Sequence, residues 1–120
     1  MTLLKTIEAK LQEVLEPVCY GAADDSKTNT PMWKYIVFFR DRTSRSATNK
    51  GWTDYYTVAI IYENWMPVEI VEKVVEKMES ISGVRLASDN IEYRYTRKPN
   101  TNAVVEVATL TFSHARKKVC

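Results

Sequence analysis

The alternation of apolar and polar positions along the chain predicts four β-strands. They span residues 33–40, 55–62, 91–97 and 103–113. In the first two strands both faces are apolar, which predicts cover by helices on one side of the sheet and by a partner subunit on the other. In the last strand the apolar residues change from odd-numbered positions (Val105, Val107) to even-numbered positions (Ala108, Leu110, Phe112), and a β-bulge near Val107 would account for this parity shift.

Apolar residues at helical spacing predict two helices. The first covers residues 2–16 and ends because the residue before Pro17 is pushed out of the α region. The second begins at Pro67 and ends near Gly83, which can adopt the left-handed conformation that closes a helix. The residues of this second helix that we expect to be buried against the sheet are Val74, Val75 and Met78.

The order helix–strand–strand–helix–strand–strand predicts a single α+β domain over residues 1–120. Because consecutive strands tend to pair, the expected fold is a four-stranded antiparallel sheet with both helices packed on one face. Residues 18–31 and 84–90 are interpreted as a loop and a connector. Residues 116–120 are expected to form a basic C-terminal tail.

A polar segment, residues 41–52, joins the two central strands and is interpreted as a hairpin loop of about a dozen residues, longer than usual. It carries Arg42, Arg45 and Lys50 against a single acid, Asp41. Ordering such a loop costs backbone entropy, so we expect a partner outside the subunit to order it.

Three interpretations of this basic segment stay open. With Trp33 and Trp52 it could bind phosphates and stack bases, it could contact protein through Arg and Trp anchors, or it could be a solvated hairpin tip. The candidate partner-binding residues are Arg40, Arg42, Arg45, Lys50 and Trp52.

Composition and candidate chemistry narrow the function classes. Hydrophobic content of 45% and charged content of 27% are ordinary for a globular protein, and the net charge of +2 is too small to indicate a polyanion partner. Cys19 and Cys120 are expected to be free thiols in a reducing compartment. His114 has no nucleophile–base motif around it, and the glycines form no phosphate-binding loop. We therefore expect no catalytic, cofactor or metal site and no enzyme activity.

The layout of nearly the whole chain resembles the tail terminator or tail completion proteins of long-tailed bacteriophages. The resemblance rests on the amphipathic N-terminal helix, the segments TPMWKYIVFF and YYTVAIIYENW, the helix VEIVEKVVEKMES and the closing hairpin IEYRYTR…AVVEVATLTF. It implies an α+β subunit that forms a ring, usually a hexamer, on the last ring of the tail tube. Such a ring stops tube growth and offers a surface for head attachment.

The resemblance also implies the partners and the location. The partners would be further copies of the chain, the major tail tube protein and a head–tail connector protein, in the tail or neck of a virion assembled in the host cytoplasm. DNA would pass through the ring without specific binding, and no membrane is involved. The alternatives are a connector subunit, stopper or adaptor, of the same virion neck, and a small nucleic-acid-binding α+β domain that uses residues 42–50. Steep salt dependence of DNA binding by a monomer would favour the last.

Overall fold

The computed structural model describes residues 3–22, 33–45, 51–87 and 90–117. Within these residues the chain forms two α-helices and six β-strands. The helices are α1 (Leu3–Gln12) and α2 (Val68–Glu79). The strands are β1 (Val18–Tyr20), β2 (Lys34–Arg45), β3 (Gly51–Glu63), β4 (Val84–Leu86), β5 (Glu92–Arg97) and β6 (Val104–Lys117).

The described strands form one mixed sheet in the order β1-β2-β3-β6-β4, with β5 also paired to β6. The β1–β2 pair is parallel, and the β2–β3, β3–β6, β4–β6 and β5–β6 pairs are antiparallel. The predicted four-stranded antiparallel sheet is therefore wrong. It omitted β1 and β4, which are three-residue strands inside segments interpreted as loop and connector. Strands this short hold too few residues to show an alternating pattern.

Both helices pack on one face of the sheet and enclose the main hydrophobic core. α1 contributes Ile7 and Leu11, and α2 contributes residues that include the fully buried Val74 and Met78. The burial predicted for Val74 and Met78 is confirmed, whereas Val75 is only partly buried. The strand residues of this core include Ile36, Phe38, Tyr56, Val58, Ile60, Ala108, Leu110 and Phe112. Gly83 has φ +82°, so its predicted left-handed conformation is confirmed, but α2 ends at Glu79 with Ser80 as its C-cap, so the prediction that Gly83 closes this helix is wrong.

The opposite face of the sheet carries a second, smaller apolar cluster. Its buried members are Cys19, Tyr35, Val37, Ile61 and Val105, and none of them lies in a helix. Trp33, Phe39, Ala59 and Val107 pack against them. Within the described part of the chain, this face is therefore closed by side chains of the sheet and of neighbouring Trp33 rather than by a helical layer.

The two apolar faces explain the parity shift in β6. β6 pairs with β3 in unbroken register from Lys117 to Val105, so the β-bulge predicted near Val107 is wrong. Val105 and Val107 belong to the smaller cluster, and the residues from Ala108 onward that alternate with them face the helices. The sheet does contain an irregularity, but it lies in β2 between Arg40 and Arg42.

The long hairpin loop predicted at residues 41–52 is also wrong. Residues 41–45 continue β2, and residues 51 and 52 begin β3. Only 46–50 separate the two strands, and they lie outside the described residues. The predicted basic tail likewise begins inside β6, which runs to Lys117, and residues 118–120 lie outside the described part.

Candidate functional site

The candidate site is the end of the sheet that continues past the helix-covered core. We call it the arm, and it comprises residues 40–45 of β2, 51–55 of β3 and 113–117 of β6. The main core ends at Tyr56 and Phe112, next to this segment. Among the described residues, β1 pairs with β2 only as far as Phe38, so the outer edge of β2 has no strand partner along the arm.

A β-bulge distributes the arm's arginines over both faces of the sheet. Arg40 pairs with Tyr56 and Arg42 pairs with Tyr55, so one extra residue of β2 is inserted between them. Because side chains alternate along a strand, Arg42 lies on the face opposite to Arg40 and Arg45. The arm therefore presents cations on two sides.

Cross-strand cation–π contacts hold two of these arginines against aromatic rings. The Arg42 Cζ lies 4.0 Å from the centre of the Tyr55 ring, and the Arg45 Cζ lies 4.7 Å from that of Trp52. Such contacts at exposed sites stabilise by about 0.5–1 kcal/mol. Trp52 remains 39% exposed. The arm thus offers pre-positioned guanidinium groups and an accessible indole, a combination that is frequent among interface anchors.

A buried carboxylate fastens the three strands of the arm together. Asp54 of β3 accepts a hydrogen bond of 2.7 Å from Thr43 Oγ1 in β2 and one of 3.0 Å from Arg116 Nη2 in β6. Partial burial opposes ionisation of Asp54, but these hydrogen bonds and the Arg116 charge outweigh it and lower the pKa of the carboxyl. Asp54 is therefore a charged cross-link of the arm at neutral pH.

Carboxylates compensate only part of the arm's positive charge. Arg116 contacts Asp54, and Arg42 Nη1 lies 3.1 Å from Asp41 Oδ2. Within the described residues Arg40 and Arg45 have no carboxylate partner. Of the predicted site residues, the structure brings Arg40, Arg42, Arg45 and Trp52 together on the arm, and Lys50 lies outside the described residues.

His114 lies at the base of the arm. It pairs with Asp54 across the strands, and its Nδ1 is buried without a hydrogen-bond partner. A Cβ at Gly83 would lie 3.3 Å from His114 Cδ2, so the turn after α2 packs directly on the imidazole. Any side chain at position 83 would be disfavoured twice, by this close approach and by the left-handed backbone.

The sequence interpretation missed an exposed apolar group at the other end of β6. We call it the Trp65 patch, and it comprises Trp65, Val68, Tyr95 and Val104, which are 81%, 66%, 66% and 40% exposed. The residues on either side of Trp65 connect it to β6. Asn64 N donates to the Val104 carbonyl at 2.7 Å, and Met66 N donates to Glu106 Oε1 at 2.6 Å.

Tyr95 is joined to the same carboxylate. Its hydroxyl donates to Glu106 Oε2 at 2.9 Å, and this hydrogen bond to Glu106 raises the pKa of Tyr95. In the sequence, the patch is indicated by Trp65, which lies in the short segment 63–67 between a strand and the proline that starts the next helix. A single exposed apolar side chain is common on protein surfaces, whereas several that cluster indicate an interaction site.

Comparisons with known proteins leave the family open: no protein-family model matches the chain, and no characterised protein matches it significantly. In the described ranges, no three side chains among His, Cys, Asp and Glu group in a way that could hold a metal ion. Neither described helix has the length and apolar character needed to cross a membrane.

Proposed function

We propose that this protein is a structural subunit of a bacteriophage tail, a terminator that assembles into a ring at the head-proximal end of the tail tube. The ring stops addition of further tube subunits and provides the surface to which the head connector attaches. It is built from copies of this chain, six by the family resemblance, and works by shape and contact rather than by catalysis.

The arm is the observation that carries this proposal. The molecule measures 54 × 28 × 23 Å, so it is long relative to its width. At one end it presents exposed arginines and Trp52 on a sheet extension that the two described helices do not cover. An anchor-rich projection of this kind suits contact with a neighbouring subunit. Repeated contact between two unlike surfaces closes into a ring when the rotation between subunits permits it.

The charge arrangement favours protein contact over nucleic-acid binding. Asp54 pairs with Arg116 and Asp41 pairs with Arg42, so two of the arm's guanidinium groups already have carboxylate partners. The Tyr55 and Trp52 rings each have one face covered by a guanidinium group. Among the described cationic side chains of the arm, only Arg40 and Arg45 lack a carboxylate partner, and affinity for nucleic acid depends strongly on the number of phosphate contacts.

Deleting the gene from a phage genome that carries it tests the function. We expect tails whose tubes are overlong or irregular and heads that do not join them, visible by electron microscopy, because nothing then ends tube growth. Supplying the wild-type chain in trans should restore normal tails and infectivity. Tails of normal length on which heads fail to join would instead favour the connector-subunit alternative.

A charge-reversed arm separates the arm's role from general stability. Supplied in trans, Arg40→Glu/Arg45→Glu should fold normally but should not restore infectivity, whereas Arg85→Glu, which changes an exposed arginine of β4, should restore it. Full infectivity with the reversed arm would remove the arm from the mechanism. Tight, steeply salt-dependent DNA binding by the wild-type monomer would support the nucleic-acid-binding alternative.

A further inference from the structure

We propose that the Trp65 patch of one subunit is the docking surface for the arm of the next copy of the same chain. This inference rests on the proposed ring and names the two surfaces that would build it. The arm and the patch lie at opposite ends of β6, because the arm includes residues 113–117 whereas the patch includes Val104 at the start of that strand.

The patch is held in place before any partner binds. Asn64, with φ 70°, turns the chain directly after β3, and the hydrogen bonds from Asn64 N and Met66 N fix the backbone on both sides of Trp65. Glu106 accepts from both Met66 and Tyr95, so one carboxylate positions the turn and the phenol ring. Because the backbone around Trp65 is already fixed, binding through the indole costs little backbone entropy.

The chemistry of the patch complements that of the arm. Its apolar surface is bordered by carboxylates, Glu106 beneath Tyr95 and the exposed Glu69 in the first turn of α2. The arm supplies Arg40 and Arg45, which lack carboxylate partners among the described residues. Guanidinium groups bind favourably over indole and phenol rings, and nearby carboxylates strengthen that attraction.

Of two cations near the patch, Lys98 is paired with a carboxylate, whereas Arg97 keeps its positive charge because its partner is a neutral carbonyl. Lys98 Nζ lies 3.2 Å from Glu63 Oε1, and Arg97 Nη1 donates to the Asn102 carbonyl at 3.1 Å. The indole of Trp52 on the arm offers an apolar group to match Val68 and Val104.

The edge of the arm is built for contact through side chains rather than through strand addition. β2 carries charged residues and a bulge where its outer edge lacks a strand partner within the described part of the chain. Both features discourage pairing with the edge of another sheet. The arm is therefore suited to place its guanidinium and indole groups on a preformed surface.

A mixing experiment tests this arrangement directly, because contact between two unlike surfaces predicts complementation. An arm variant, Arg40→Glu/Arg45→Glu, retains an intact patch, and a patch variant, Trp65→Ser, retains an intact arm. Each alone should be monomeric by native mass spectrometry and light scattering, with self-association weakened by at least about tenfold. Mixed together, they should form a 1:1 heterodimer through the one remaining intact pair of surfaces.

Control variants separate the patch from general apolar exposure. Trp65→Phe, which retains an aromatic ring, should still form rings, and so should Tyr20→Ser, which removes an aromatic side chain that is 50% exposed outside the patch. Circular dichroism should show the same folded spectrum for every variant.

Three results would overturn the inference. They are a wild-type chain that stays monomeric at high concentration, an arm or patch variant that still forms rings alone, and a mixture of the two variants that stays monomeric. If the variants complement each other on mixing but rings of the wild-type chain do not restore tail length in trans, the proposed interface is supported and the terminator function is rejected. The two proposals therefore fail separately.

Discussion

The helix-covered half of the long strands and the arm that continues them are held together by different interactions. In the covered half, Val58, Leu110 and their neighbours are completely buried between the sheet and the helices. In the arm, the buried Asp54 carboxylate connects the same strands through an exposed hydroxyl and an exposed guanidinium group. Apolar burial supplies most of the free energy of folding, whereas exposed polar contacts add little. The covered half therefore maintains the fold, and the arm is free to serve binding.

The largest effect should come from truncating a side chain in the helix-covered core. Met78→Ala removes a fully buried side chain of α2 and should lower the free energy of unfolding by about 2–5 kcal/mol, measured by denaturant melts. Lys73→Ala, at an exposed position of the same helix, should change it little. A loss below about 0.5 kcal/mol for Met78→Ala would contradict the assignment of the main core to this face.

The two sheet faces can be compared at adjacent residues of β3. Ile60 faces the helices and is 0% exposed, whereas Ile61 belongs to the smaller cluster and is 8% exposed. Ile→Val changes typically cost about 0.5–1.5 kcal/mol. We expect Ile60→Val near the upper limit and Ile61→Val near the lower, because the smaller cluster lacks a helical layer and can relax more easily. A larger cost for Ile61→Val in denaturant melts would make that face the dominant core.

The arm should contribute a further effect on stability, smaller than that of the core truncation at Met78. Asp54→Asn removes the charge that binds Arg116, which is half-exposed, and should cost about 1 kcal/mol at neutral pH. The folded-state pKa of Asp54 is lowered, so the stabilisation is complete above the unfolded-state pKa and is lost as pH falls through the folded-state pKa.

Thermal midpoints measured from neutral to acid pH check this prediction. The difference between wild type and Asp54→Asn should be greatest near neutral pH and should close in acid. Asp41→Asn, at an exposed position of the arm, should show almost no difference at any pH. A gap for Asp54→Asn that widens in acid would mean that this carboxylate does not stabilise the arm in its ionised form.

The sequence alone determined the elements that depend on a long apolar pattern. The central parts of β2, β3, β5 and β6 and both helices follow from periodicity, because residues that repeat on one face must be buried together. The buried Met78 follows from the apolar stripe of α2, and the left-handed Gly83 follows from the conformational freedom of glycine. The candidate arginines could also be identified from their concentration between two apolar strands.

Only the tertiary structure decided the features that depend on neighbouring strands. β1 and β4 are three-residue strands whose structure comes from pairing with β2 and β6, so their own residues carry almost no signal. The polar residues 41–45 read as a loop but extend as a strand, because β3 supplies hydrogen bonds and partners such as Asp54 and Tyr55. Trp65 becomes part of a patch only because the fold connects its neighbour Asn64 to Val104 and its neighbour Met66, through Glu106, to Tyr95. Local periodicity shows which side chains face the core. Strand pairing and contacts between side chains of different strands depend on segments that are far apart in the chain.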